Sequence, residues 1–313
     1  MRRNAAILIA LSLLGLSCNR EKQRRIAVIP KGTSHVFWQA VHAGATAAGK
    51  EFHEEILWDG PPNETDYSRQ LEIVDSMLNR HVDGMVVAAA DRTSLNASLD
   101  RAARENIPVV IFDSGVDSSN YVAFVATNNY AAGQMGARKL AQLLDGKGTV
   151  GIIGNAPGSA STIDRESGFK DTMAKEFPNV KIAAEQYGMS DAAKGLAVTE
   201  NILTAHPEVN GLFASAEPSS VGAAQALKSR GLAGKVKLVA FDSSEGLVAD
   251  LSAGVIDALI AQDPFKIGYE GVKAVTEKLD GKSPAKNIDL SATVITKADL
   301  DKPEIKKLLH PDI

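Results

Sequence analysis

Two carboxylates carry the most legible chemistry in this chain. Asp113 closes the run Pro108–Asp113 (PVVIFD) and Asp242 closes Lys237–Asp242 (KLVAFD), so two apolar segments end on the same Phe-Asp pair. An ionised carboxylate only accepts hydrogen bonds, a guanidinium donates in a planar fork, and an amide does both. Arg165 supplies the fork within Asp164–Phe169 (DRESGF), and Gln262 supplies the amide within Ala261–Pro264 (AQDP). Arg165 stands near the start of a helical pattern, where its charge opposes the helix dipole, so it calls for a specific partner. Each aspartate has a plainer reading as a cap on the helix that follows it. No His/Cys/Glu group has metal-ligand spacing, and neither a metal nor a cofactor is expected. Gly154–Ser161 (GNAPGSAS) lacks the Gly-Lys-Ser/Thr of a phosphate loop and reads as a loop with a helix cap.

Positioning these groups requires the elements around them. Short β-branched runs alternate with helix-length amphipathic segments along the whole chain. The runs are Arg25–Pro30, Glu55–Asp59, Gly84–Ala88, Pro108–Asp113, Val122–Ala126, Thr149–Gly154, Lys181–Glu185, Gly211–Ala214, Lys237–Asp242 and Ile256–Ala261. Most are continuously apolar, as in strands covered on both faces; Trp58, within one of them, is expected in the core. Between them lie the helical patterns Trp38–Phe52, Ser68–Arg80, Leu95–Glu105, Tyr130–Leu144, Asp164–Phe177, Ala192–Thr204, Ser219–Ser229 and Phe265–Leu279. Such alternation implies parallel sheets with right-handed crossovers. The rhythm breaks near Val122–Asn129 and a second series starts at Thr149. The expected fold is therefore α/β, with two doubly wound parallel-sheet lobes. Ligands of such sheets bind outside the carboxyl ends of the strands, where Asp113 and Asp242 stand.

The N-terminus adds a location. Arg2 and Arg3 precede an apolar stretch, Ala5–Leu16, too short to span a bilayer, which takes about 20 residues; Ser17, Cys18 and a charged run follow. This is the layout of a secretory signal. Residues 1–17 are expected as the leader. Cys18, the only cysteine, stands where a lipoprotein carries its acyl chains, and 18–25 would form the linker. Gly15 replaces the usual lipobox leucine, with Leu14 one place back, so an ordinary secretory peptide is the alternative. The expected location is periplasmic or cell-surface, tethered at Cys18 or else soluble in the periplasm. The net charge of -4, from 34 basic and 38 acidic side chains, argues against nucleic acid, whose binders show a basic surface.

With these residues in place, the chain resembles the periplasmic sugar-binding proteins of the ribose-binding type, the solute-binding subunits of ABC importers. Asn201–Phe213 (NILTAHPEVNGLF), Asp164–Phe169, Phe241-Asp242 and Ala261–Pro264 carry the resemblance, which runs from Arg25 to about Thr296. It implies a three-crossing hinge between the lobes, with 26–127 plus 263–291 as the N-terminal lobe and 128–262 plus 292–313 as the C-terminal lobe. It also implies no enzymatic activity, closure on a small neutral sugar or polyol, an ABC permease as partner, and a monomer.

The resemblance assigns the site to Phe37 and Trp38 for stacking on the apolar faces of a sugar, and to Asp113, Arg165, Asp242 and Gln262 for its hydroxyls. His35 stands where the ribose binder has Asn. Ser114 replaces an Arg, and Ala216-Glu217 replaces an Asn-Asp pair. Losing such contacts changes discrimination sharply, so ribose itself is not the expected ligand. The net negative set of Asp113, Asp242, Arg165 and Glu217 argues against a phosphorylated or carboxylated one. Two alternatives are a sensor subunit for a sugar-like signal and a secreted glycosidase using Asp113 and Asp242. Related repressors carry an N-terminal DNA-binding helix-turn-helix, and here the signal-like segment occupies that place.

Overall fold

The computed structural model describes residues 23–309; the expected leader and Cys18 lie outside them. Two six-stranded sheets organise the chain. The first contains β1 (Arg25–Ile29), β2 (Glu55–Trp58), β3 (Gly84–Val87), β4 (Val109–Phe112), β5 (Phe124–Thr127) and, from far along the chain, β11 (Asn287–Leu290). The second contains β6 (Gly148–Gly154), β7 (Val180–Tyr187), β8 (Gly211–Ala214), β9 (Lys237–Phe241), β10 (Ala258–Ala261) and β12 (Thr293–Ile295). Their orders, β11-β5-β4-β3-β1-β2 and β12-β10-β9-β8-β6-β7, repeat the same winding. Every pairing is parallel except β10 with β12.

Helices cover both faces: α1 (Val36–Phe52), α2 (Tyr67–Asn79), α3 (Asn96–Arg104) and α9 (Pro264–Leu279) on the first sheet, and α4 (Asn129–Leu143), α5 (Ala160–Glu176), α6 (Ala192–Ala205) and α7 (Glu217–Ser229) on the second. α8 (Glu245–Ala253) packs on α7, and α10 (Pro303–Leu309) follows the last strand. None of the described helices is long and apolar enough to cross a membrane.

The continuous apolar runs now have their physical reason. Successive strand side chains point to opposite faces. Val86, Val110 and Phe112 enter the core under α1 and α9, while Met85, Val87, Val109 and Ile111 enter the opposite core. Each such side chain, fully buried, stabilises the fold by about 1.5–3 kcal/mol. Trp58 is only half-buried, because β2 is an edge strand; its indole stacks on His42 with ring centroids 4.4 Å apart.

The chain passes between the sheets three times: from β5 to α4, from β10 to α9, and from β11 to β12. β11, β12, α8 and α10 have no counterpart among the elements read from the sequence. The two strands are three or four residues long and lie at sheet edges, and α8 has nine residues. Such short elements give little periodic signal.

Candidate functional site

The sequence repeat of Phe-Asp becomes a structural repeat. Asp113 follows β4 and Asp242 follows β9, the fourth strand of each series. Both adopt left-handed backbone, φ 58° and 70°, a conformation that aspartate tolerates better than most side chains. The N–H of Asp113 donates to Val125 O and that of Asp242 to Ile260 O, each at 2.9 Å. The sharp turn stops the strand and aims each carboxylate into the space between the lobes.

That space is a cleft with about 300 Å³ between its atoms, its opening to solvent included, lined by Lys31, His35, Phe37, Trp38, Glu64, Asp113, Asn155, Thr162, Arg165, Ala216, Glu217, Pro218, Asp242 and Gln262. Eight of the nine site residues expected from the sequence meet there. The ninth, Ser114, does not line the cavity. Its side chain is fully buried behind Asp113, and its hydroxyl accepts from Ser161 N–H at 3.3 Å. The resemblance placed Ser114 where a relative has Arg, but a short side chain after the turn at Asp113 stays behind that carboxylate instead of reaching the cavity.

Trp38 is buried, with Phe37 against it edge-on (centroids 5.0 Å) and Phe112 beyond (6.2 Å). Its indole Nε1 donates to Glu64 Oε1 at 2.8 Å. α5 begins at Ala160, so Arg165 lies in its second turn rather than at its start, and its burial is what its partners satisfy: Nε donates to Asn129 Oδ1 (2.8 Å), Nη1 to Ser215 O (3.0 Å), and the guanidinium lies 3.9 Å from the Phe241 ring centre. α4 and α5 touch closely enough to set this network because Gly133 lies against the backbone of Arg165, where a Cβ would collide with its carbonyl.

Asp242 is held from both sides. Gln262 Nε2 donates to Oδ1 at 2.6 Å, and the Glu217 N–H donates to Oδ2 at 3.0 Å. The aspartate thus does cap a helix, but α7 from across the sheet rather than the helix after it. Ala216, the residue at the α7 N-cap, has no side-chain oxygen to do so. Burial raises the Asp242 pKa, and the charge of Arg165 and the Gln262 bond only partly offset it. Burial likewise raises that of Glu217.

Six lining residues, Lys31, Glu64, Asn155, Thr162, Ala216 and Pro218, were not singled out from the sequence as candidate site residues, and the first three supply its further charged and amide groups. Lys31 is 4% exposed; its Nζ stands 3.1 Å from Asp113 Oδ2, 3.2 Å from Ser159 Oγ and 3.1 Å from Ser161 Oγ. Ser159 occupies the N-cap of α5 without capping it, so the Gly/Ser loop meets Lys31 rather than a phosphate. Glu64 is also buried, and accepts from Ser190 Oγ (2.8 Å) and Asn155 Nδ2 (3.2 Å) besides Trp38. Burial pushes its pKa up, but the Lys31 charge and the His35 bond override this and hold it well below the carboxylate range. His35 responds in turn: burial lowers its pKa, but Glu64, 3.4 Å from Nδ1, together with Glu217 and the Ser190 carbonyl, raises it above its ordinary value. Lys31 and Asn155 do carry a signal, since they follow β1 and β6, and ligands of doubly wound sheets sit where the strand order reverses. Glu64, in a loop after edge strand β2, carries none.

The cavity thus mixes cations (Lys31, Arg165) with carboxylates, contributed by both lobes. Two of its buried oxygens, Asn155 Oδ1 and Gln262 Oε1, accept no hydrogen bond, and Asp113 Oδ2 is faced by the Lys31 ammonium at 3.1 Å. The described residues contain no group of three or more His, Cys, Asp or Glu placed to hold a metal ion.

Known proteins share both the sequence and this architecture. A family model described as a periplasmic binding protein domain matches residues 26–283. The D-ribose/D-allose-binding protein of Pseudomonas aeruginosa is 30% identical over 282 residues, 88% of each chain. A carbohydrate transporter solute binding protein from Agrobacterium radiobacter, solved in complex with D-arabinose, aligns with TM-score 0.90 at 32% identity, covering 93% of this chain and 100% of the other. An ABC transporter solute binding protein from Agrobacterium vitis with bound D-fucose gives 0.88 and 33%, over 91% and 100%. The chain therefore belongs to the periplasmic binding protein family. Within it, the relatives and the fold place the chain in the ribose-binding type, with two type I lobes.

Proposed function

We propose that this protein captures an uncharged monosaccharide or small polyol between its lobes and delivers it to an ABC permease, without transforming it. The observation that carries this reading is the set of unfilled acceptors. Buried polar groups are nearly always hydrogen-bonded, and an orphaned one costs about 1–3 kcal/mol. Asn155 Oδ1, from the second lobe, and Gln262 Oε1, at a crossing between the lobes, await donors, and the first-lobe Asp113 carboxylate keeps acceptor capacity beyond the Lys31 ammonium beside its Oδ2. A ligand with several hydroxyls supplies such donors, and Phe37 beside Trp38 offers an apolar face for its ring. Phosphate or carboxylate groups supply acceptors and would meet Asp113, Asp242, Glu217 and Glu64. The relatives' sugars point the same way.

Closure follows from the geometry. A ligand shifts an open–closed equilibrium only through contacts that favour the closed state, and here both lobes contribute. The mobile bodies we assign are 26–127 plus 263–291 and 128–262 plus 292–313, working as a monomer in the periplasm and tethered by lipid at Cys18. His35, Phe37, Trp38, Asp113, Arg165, Glu217, Asp242 and Gln262 form the ligand shell, joined by Lys31, Glu64 and Asn155; Ser114 supports it from behind.

A thermal-shift panel of neutral pentoses, hexoses and polyols against sugar phosphates and sugar acids tests the reading. Ligand that binds only the native state raises the melting point, by about 2.7 kcal/mol of stabilisation at a hundred times Kd. At least one neutral sugar is expected to raise Tm. A response confined to the anionic compounds would overturn the proposal.

A further inference from the structure

The cleft between the lobes contains two spaces. The inner one is the cavity described above, about 300 Å³ with its opening included. The outer one, about 880 Å³ including its open mouth, lies toward the β5–α4 crossing. Only a thin partition divides them. Asp113 faces the inner space and Gly115 the outer, with Ser114 between; Thr162 faces the inner and Ser161 the outer. The first-lobe and second-lobe halves of this partition meet where Ser114 Oγ accepts from Ser161 N–H.

We infer that Lys31 seals this partition and so limits the ligand to a single sugar ring. This rests on the monosaccharide reading above. The lysine stem crosses from the loop after β1 to the start of α5, and its ammonium ends among Asp113, Ser159 and Ser161 at 3.1–3.2 Å. No shorter side chain at position 31 reaches that far. Its burial excludes water from the junction. The outer space is not inert: Thr127, whose buried Oγ1 has no hydrogen-bond partner, forms part of its wall, and the half-exposed Tyr130 ring stands at its edge. A hydroxyl and an aromatic face are what a second sugar ring would use. Shortening Lys31 would join the two spaces and admit the second ring of a disaccharide.

The test compares wild type, Lys31→Ala and Lys31→Met by calorimetry. The probes are D-arabinose, D-fucose and D-galactose against lactose and melibiose. Wild type is expected to prefer its best monosaccharide over either disaccharide by at least 100-fold. Lys31→Ala should narrow that ratio at least tenfold, by strengthening disaccharide binding as well as weakening the monosaccharide. Lys31→Met, of similar length without the charge, should keep the ratio although both affinities fall. A folded Lys31→Ala protein with the wild-type ratio would overturn the inference, as would equal narrowing by Lys31→Met. If Lys31→Ala does not fold, Ser114→Ala/Ser161→Ala loosens the seal from the other side and should shift the ratio the same way by a smaller factor; no shift overturns the inference. Wild type binding no monosaccharide would count against the proposed function instead. In that case new disaccharide binding by Lys31→Ala, absent from wild type, still decides the partition.

Discussion

In the first lobe the carboxylate after the fourth strand faces an ammonium; in the second, the equivalent carboxylate faces two amides. Asp113 and Asp242 share strand position, left-handed backbone and the same 2.9 Å N–H bond to the neighbouring strand. Their surroundings diverge because different elements supply the partners: Lys31, after β1, faces Asp113, whereas Gln262, after β10, and the Glu217 N–H, at the start of α7, face Asp242. The same contrast recurs in a second pair of buried glutamates. Glu64 is held below its ordinary range by Lys31 and His35 despite burial. Glu166, under the second lobe's sheet edge, is pushed up by burial to about 7, although it accepts from Ser215 Oγ and Asn155 N–H. The repeated winding dictates where acidic groups point, and the unrepeated loops dictate which of them is comfortable as an anion.

The largest expected effect separates the two aspartates. Asp113→Ala strands the Lys31 charge in a buried site, and removing one partner of a buried pair costs about 3–5 kcal/mol. Asp242→Asn removes a charge that burial already disfavours and should change stability by less than about 1 kcal/mol. Urea unfolding at pH 8 measures both; equal losses would show that the lobes do not differ in this way.

The shared scaffold can be broken symmetrically. Gly133 lies against the Arg165 backbone in the α4–α5 crossing, and Gly44 against the Phe265 backbone in the α1–α9 crossing. Valine at either should cost about 3 kcal/mol, the upper end of overpacking, with melting points that fall alike. A harmless Gly133→Val would mean that the helix crossing does not position Arg165.

The glutamate pair gives a pH test with a definite sign. A carboxylate whose folded-state pKa lies above its unfolded value stabilises the fold fully below about 4.5, and that contribution is lost as pH rises through about 7. Glu166→Gln stays neutral throughout. It should therefore exceed wild type by up to about 3 kcal/mol at pH 8 and match it near pH 4.5. A gain independent of pH would point to packing instead.

The smallest effect concerns affinity. Asp242→Ala should weaken the sugar that gives the largest thermal shift at least tenfold, about 1.4 kcal/mol. Unchanged calorimetric affinity would remove Asp242 from the ligand shell and leave it only as the cap on α7.

Much of this was open to reading before any coordinates. Continuous apolar runs alternating with amphipathic segments require parallel sheets covered on both faces, and β3, β4, β8 and β10 are buried along their whole length. The twin Phe-Asp endings marked the cleft because strand ends are where a doubly wound sheet opens. Arg165 drew attention as a charge near a helix start, but α5 begins five residues before it, at Ala160, and it is burial rather than the dipole that demands its partners.

What the sequence could not settle was decided by packing at long range. Glu64 meets Asn155 and Ser190 across 91 and 126 positions of chain, and Lys31 meets Ser159 and Ser161 across 128 and 130. Polarity patterns encode which face of an element is buried, and so they determine elements and their layering. They carry nothing about which distant loop will surround a buried charge. That choice arises only when two lobes close on one another, which is why the acidic ends of the strands were legible while Glu64, and the placement of Ser114 behind Asp113, were not.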